Sequence, residues 1–339
     1  MLYQIKKTKI PCLLNIWSKK YQIWGPLKSG DDFKFKLLNP YGQIEPAKLN
    51  RLSLKYPTTI LPPKKILFPP HQKIFTEENG KIKTDNKTKQ KIFFGLHLYD
   101  LKALSIMDEV NSKPVADPTY LEKRQNTILI GISHPKTDLH FHQILGIQKP
   151  ENFDLFFEDT GSIYLIQTGS KLGENLAKNS IFEKTNWKIT KTKEETDAIP
   201  YNLEKLAEKI KKSKNSKIWD ELAKICFGCG ICSYVCPLCY CFEVEDEFKF
   251  NSCKTCRKKR WDACMLPDFF ALADTNPREK LRDRIYNWYH HKFVRFPKEY
   301  GTAGCVGCGR CIKYCPADIN FREWIDKIIN DKVQMTNDK

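Results

Sequence analysis

The sequence predicts an α+β protein: an N-terminal mixed α/β domain over residues 1–182, a linker over 183–200, and an α-helical domain over 201–332. Three observations carry this reading. Strand-sized apolar runs alternate with a helical pattern through the first half of the chain. A polar stretch rich in Lys, Thr and Glu then runs to Pro200, the composition of a connection rather than a packed element. Beyond it, every cysteine except Cys12 falls between Cys226 and Cys315.

In the first domain the runs Tyr21–Leu27, Asp32–Leu38, Lys91–His97, Asn126–Ser133, Phe153–Glu158 and Ser162–Thr168 read as strands. Tyr99–Val110 spaces Leu101, Leu104, Ile106 and Met107 as a helix does, so a helix follows the Lys91 strand. The proline pairs of Leu61–Pro70 remove backbone donors and fix extended conformations, which predicts a rigid surface segment. In the second domain, Leu203–Lys212 and Ile218–Ile225 read as amphipathic helices, the latter running into the first clustered cysteine.

Composition narrows the function classes. Apolar residues make up 41% of the 339, enough for a sizeable core. The mean hydropathy is −0.51, and no apolar run reaches the ~18–20 residues that span a bilayer. The N-terminus lacks an export signal, which predicts a cytoplasmic protein without membrane insertion. The net charge is +17, yet the lysines are scattered, with no dense basic patch or helix-turn-helix pattern. We therefore expect a basic face that steers an acidic protein partner rather than one that grips nucleic acid. A cluster-switched nucleic-acid-binding regulator is the alternative from a different class.

The cysteines carry the chemistry. Cys226, Cys229, Cys232 and Cys236 stand in CFGCGICSYVCP; Cys305, Cys308, Cys311 and Cys315 stand in CVGCGRCIKYCP. Both are C-x2-C-x2-C-x3-C-P, the bacterial ferredoxin ligand run. Three thiolates at intervals of three on a tight loop reach three corners of one cubane, and in two-cluster proteins the fourth ligates the other cluster. This predicts two [4Fe–4S] clusters, one on Cys226, Cys229, Cys232 and Cys315, the other on Cys236, Cys305, Cys308 and Cys311. Gly228, Gly230, Gly307 and Gly309 supply the positive φ and close backbone approach such loops need. Zinc is disfavoured because its sites pair two separated C-x2-C units, and disulfides because no export signal is present.

The long segment between the runs predicts helices that bracket the cluster pair. It holds Cys239, Cys241, Cys253, Cys256 and Cys264. Two readings stand for these: a third metal site, or small buried apolar residues and free thiols. His134, His140 and His142 could form a metal cluster, with His140 and His142 on one face if they lie on a strand; a solvated polar loop is the favoured reading. Arg278–Arg284 with His290 and His291 is either a docking face or a solvated helix face. The acidic run Glu243–Glu247 is a candidate for tuning cluster potential by local charge. No dinucleotide, phosphate-loop, zinc-protease or serine-hydrolase motif occurs, so no catalytic residue is assigned.

The segments CFGCGICSYVCPLCYCFEVEDEF, KKRWDACMLPDFFALA, YHHKFVRFP and CVGCGRCIKYCP, in that order, resemble the beta subunits of NAD(P)-linked [NiFe] sulfhydrogenases and the A subunit of anaerobic sulfite reductase. The resemblance extends upstream through LPPKKILFPP, FFGLHLYDLKAL and Asn126–Ser133. It implies an electron-transfer subunit that connects a flavin- and NAD(P)-binding subunit to catalytic subunits, hydrogenase first and sulfite reductase as the alternative. In relatives, cysteines commonly occupy places held here by Tyr99, Ser133, His140 and His142. Any cluster those relatives bind there is then either lost in this chain or ligated by histidine, since imidazole can replace thiolate on iron.

Overall fold

In the computed structural model, residues 2–40, 42–84, 88–135, 137–187, 201–249 and 254–330 are described. The chain divides into two units. The first comprises Met1–Phe68, Asn86–Gln143 and Ile147–Ala198; the second comprises Pro69–Asp85, Ile144–Gly146 and Ile199–Lys339. Residues 188–200, most of the expected linker, lie outside the described residues.

The strands are β1 (Leu2–Lys6), β2 (Gln22–Ser29), β3 (Asp32–Leu37), β4 (His71–Glu78), β5 (Lys81–Lys83), β6 (Lys91–Leu96), β7 (Thr127–Ile132), β8 (Leu155–Asp159), β9 (Ile163–Thr168), β10 (Glu183–Lys184), β11 (Phe242–Lys249) and β12 (Lys254–Trp261). The first unit is built on a sheet of order β10-β1-β9-β8-β7-β6-β2-β3. Its centre, β2, β6, β7 and β8, is parallel, and its flanks are antiparallel. Every residue of β6 and β7 is buried, as central parallel strands covered on both faces must be.

One face carries Ile92, Phe94, Ile128, Ile130, Ile132 and Phe157, packed with Leu13, Leu14 and Trp17 of the helix Ile10–Ser18. On the other, Leu101 of the helix Leu98–Val110 meets β7 at Gly131. A Cβ there would stand 2.8 Å from Leu101 Cδ1 and 2.4 Å from Phe156 Cδ2. Gly131 is thus required by packing. The expected strands and the helix after the Lys91 strand are present within a residue or two of their anticipated ends.

Leu61–Pro70 differs from its surface reading. Pro62, Pro63, Lys64, Leu67 and Phe68 are buried, and Lys64–Leu67 makes a helical turn. The prolines do stiffen the backbone, but Leu67 and Phe68 bring enough apolar surface to draw the segment inward.

The second unit is not purely helical. β11 and β12 form an antiparallel ribbon between the two cysteine runs, and β4 and β5 extend it to the order β11-β12-β4-β5. Residues 71–83, read from sequence as part of the N-terminal domain, therefore pair with the segment between the cysteine runs. The ribbon follows from alternation and charge: Glu243 faces Arg260, Glu245 faces Lys258 and Asp246 faces Arg257 across the ladder. Such opposite-charge cross-strand pairs set the register. The helical part contains Leu203–Lys212, Ile218–Ile225, Leu281–His290 and Phe321–Asn330. The first two match their sequence expectation. Asn202 caps the first by accepting from Lys205 N at 2.9 Å. Leu206, Ile210, Trp219, Leu222, Ile285, Trp288, Phe293 and Ile325 supply its core.

Gly131→Ala should destabilise the first unit by about 1–3 kcal/mol, the usual result of overpacking a tight core. Chemical unfolding of the variant against the parent measures this.

Candidate metal centre

The two cysteine runs fold alike. Cys226 ends the helix Ile218–Ile225, and Gly228 and Gly230 follow at φ +64° and +75°. A short helix, Ile231–Tyr234, then carries Cys232 and leads to Cys236. In the second run Gly307 and Gly309 stand at φ +62° and +69°, and the helix Arg310–Lys313 carries Cys311 ahead of Cys315. Left-handed backbone turns each loop so that amides face sulfur. Gly228 N–H donates to Cys226 Sγ, Gly307 N–H to Cys305 Sγ and Leu238 N–H to Cys236 Sγ, each at 3.4 Å.

The runs also interleave. Cys226, Cys229, Cys232 and Cys315 line one apolar recess with Trp288, Tyr289 and Phe321; Cys311 borders it as well. Burial raises the Cys226 thiol above its ordinary value, and the neighbouring Cys229 and Cys315 raise it further. Burial pushes Cys305 up to about 12, with Cys236 and Cys308 adding repulsion. It also drives Cys311 well upward, with Cys305, Cys308 and Cys236 as its strongest thiol neighbours. The closing cysteine of each run thus neighbours the opening cysteines of the other.

These thiols suit an iron–sulfur cube. Desolvated and crowded, they resist ionisation on their own, and positive iron supplies the charge that makes thiolates favourable. The amides directed at Cys226, Cys305 and Cys236 suit ligand sulfurs that carry negative charge. Among the described residues no three His, Cys, Asp or Glu side chains are arranged to hold a single metal ion.

The additional cysteines divide. Cys264 is buried, and its thiol pairs with that of Cys241. Cys239 Sγ lies 3.9 Å from Lys292 Nζ. Cys256 sits on β12 opposite Glu247 of β11 and Thr76 of β4. Cys253 lies outside the described residues.

The acidic run is locally neutralised: Arg257 grips Asp246 at 2.8 and 2.7 Å, Arg260 pairs with Glu243, and Lys258 with Glu247. Much of the basic stretch also turns inward. Arg284 is buried and donates to the carbonyls of Arg278 and Glu279, while Arg282 pairs with Asp220 and Asp283. It is not a wholly solvated helix face. Sequence reading passed over Lys292, a buried cation in the π-helical turn His291–Arg295. Its only signal was a lysine within an otherwise aromatic stretch.

The histidines of the first unit are not a solvated loop, and His140 and His142 are not on a strand. His97 follows β6, His134 follows β7, and Tyr99 opens the helix after β6, so the C-terminal ends of two adjacent parallel strands collect them. Ring centroids of His134 lie 5.2 Å from His140 and 4.8 Å from His142. Tyr99 donates to Pro57 O at 2.6 Å, and its hydroxyl lies 2.6 Å from His97 Nδ1. Burial lowers His134 to about 4 and His142 to about 3, so both rings are neutral at pH 7. The aromatic packing of four imidazoles around Tyr99 overrides their polarity.

The repeated turn, its glycines and the interleaved cysteine runs define a two-cluster ferredoxin-type module. In keeping with this, the family described as a 4Fe-4S dicluster domain matches residues 225–319. Over 322 residues the chain is 30% identical to the sulfhydrogenase 2 subunit beta of Pyrococcus furiosus, covering 91% of this chain and 92% of that protein. The chain belongs to the sulfhydrogenase beta-subunit family, and its dicluster domain binds two [4Fe–4S] clusters. No solved structure matches it.

The histidine group makes stability depend on pH. Above 6.5 folded and unfolded chains both hold these rings neutral, and nothing is lost. As pH falls below 6.5 the unfolded chain takes up protons that folded His134 and His142 refuse, down to about 4 and 3 respectively. Unfolding free energy should therefore fall by roughly 1.4 kcal/mol per pH unit for each histidine between pH 6 and 5. His142→Phe should remove one such contribution, seen as a shallower slope in denaturant titrations.

Proposed function

We propose that this chain is the electron-transfer subunit of a cytoplasmic sulfhydrogenase-like complex, accepting electrons on one side and passing them on without a substrate site of its own. The observation that supports this is the proximity of each run's closing cysteine to the opening cysteines of the other. Cys315 neighbours Cys226 and Cys229, and Cys236 neighbours Cys305 and Cys311. On this reading Cys226, Cys229, Cys232 and Cys315 hold one cluster, Cys236, Cys305, Cys308 and Cys311 hold the other, and residues 201–332 form the dicluster domain. When bound, each [4Fe–4S] cluster supplies a one-electron site.

The chain's own contribution is placement and electrostatics. Eight thiolates fix two sites within one helical core, close enough for exchange between them. Cys236 and Cys308 are buried, whereas Cys229 is exposed. One site therefore borders solvent more openly than the other. The exposed Ile225 and Phe227 flank Cys226, giving the bordering site an apolar contact for a partner. The partners proposed are a flavin- and NAD(P)-binding subunit and a hydrogenase catalytic subunit, supported by the relative's place as a subunit of a sulfhydrogenase. Among the described residues no helix is long and apolar enough to cross a membrane.

Anaerobically purified protein should contain about eight irons and eight acid-labile sulfides per chain. Cys315→Ser should lose up to about half of that iron and perturb the cluster opened by Cys226, while Cys256→Ser leaves iron unchanged. Iron analysis with electron paramagnetic resonance of the reduced protein checks both. Zinc in place of iron would overturn the reading.

A further inference from the structure

Lys292 is 4% exposed, and burying an ammonium is costly unless its charge and all its protons are matched. The match here is specific. Nζ lies 3.3 Å from Cys236 Sγ, 3.9 Å from Cys239 Sγ and 2.8 Å from Gly304 O, three acceptors for three protons. Trp288 places its ring 5.0 Å from the same nitrogen, adding cation–π attraction.

The backbone holds this arrangement from both sides. Gly304 N–H donates to Lys292 O at 2.7 Å, reciprocating the bond from Nζ to Gly304 O. A Cβ on Gly304 would stand 3.0 Å from Lys292 Cα, so only glycine lets the two strands of chain approach so closely. Gly304 immediately precedes Cys305. The π-helical turn His291–Arg295, a feature that often marks functional positions, thus ties one buried cation to both cysteine runs, at Cys236 and beside Cys305.

The hydrogen bonding of Lys292 is one-sided: its charge also reaches Cys232, but its protons go to Cys236 and Cys239. Among the described residues, no lysine or arginine nitrogen is within hydrogen-bond distance of Cys226, Cys229, Cys232 or Cys315. Arg284, whose charge reaches Cys226, donates from Nη1 to the carbonyls of Arg278 and Glu279 and makes no hydrogen bond to that sulfur. Hydrogen bonds and positive charge at a ligand sulfur stabilise the reduced, more negative state of a cluster and raise its reduction potential.

We propose that Lys292 is the tuning residue that sets the two sites apart. It raises the potential of the cluster on Cys236, Cys305, Cys308 and Cys311 above that of its neighbour, so the first electron taken up by the module rests there. The proposal rests on the ligand assignment above.

The test is a redox titration of the holoprotein followed by electron paramagnetic resonance, comparing the parent with Lys292→Met and Lys292→Arg. In Lys292→Met one midpoint should fall so that, at a fixed ambient potential, the reduced-to-oxidised ratio of that cluster drops at least tenfold, which is 59 mV for a one-electron couple. The other midpoint should move less than half as far, and Lys292→Arg should restore most of the loss. Unmoved midpoints, or two that move together, overturn the proposal.

Should Lys292→Met fail to load iron, parent protein labelled with 15N-lysine decides the matter. The reduced cluster should show hyperfine coupling to a lysine nitrogen that disappears in Lys292→Arg, and no coupling overturns the proposal. The iron and sulfide content of the parent separates the two claims. Fewer than about eight irons per chain defeats the ligand assignment; a full complement with an unchanged midpoint defeats only the role of Lys292.

Discussion

Crowding thiols away from water is the constraint on which the second unit is built. Burial pushes Cys232 and Cys305 up to about 12, and each sits among further thiols that worsen the repulsion once any ionises. No arrangement of apolar helices would select such a core for its own sake. Iron reverses the balance, because metal–thiolate bonds return the desolvation cost and the repulsion together. The helices around the site, with Trp219, Trp288, Tyr289 and Phe321 in their packing, then serve to exclude water from a charge centre.

The first unit solves a different problem with the same means. Its sheet places His97 and His134 at the C-terminal ends of β6 and β7, where open α/β sheets commonly gather functional side chains. Here the gathered groups are four imidazoles, of which burial keeps His134 and His142 neutral, and a tyrosine. Tyr99, with no exposed surface, satisfies its hydroxyl on Pro57 O and His97. The cost of desolvating the rings is met by stacking, as between Tyr56 and His97 at 4.0 Å, and by keeping His134 and His142 uncharged.

Much of this was legible in the chain. The two cysteine runs could be read because ligand spacing is dictated by the cube and tolerates little drift. The strands Lys91–Leu96 and Thr127–Ile132 were equally plain, since central parallel strands must be apolar throughout. What escaped notice depends on partners distant in sequence. The ribbon Phe242–Trp261 reads as charge until Glu243 and Arg260 are seen to face one another, and nothing in His71–Lys83 says that it extends that ribbon. Leu61–Pro70 misled because proline content outweighed Leu67 and Phe68. His134, His140 and His142 looked solvated because imidazole polarity is visible in sequence and the packing of Tyr99 beneath them is not. Lys292 carried no motif; its meaning lies in a reciprocal contact with Gly304.

The central claim is that two cysteine runs exchange their last ligands around a pair of cubes. Iron-edge anomalous diffraction from anaerobically grown crystals tests it most directly. The account predicts two four-iron peaks, one bound by Cys226, Cys229, Cys232 and Cys315, the other by Cys236, Cys305, Cys308 and Cys311. Peaks in which each run keeps all four of its own cysteines would contradict it.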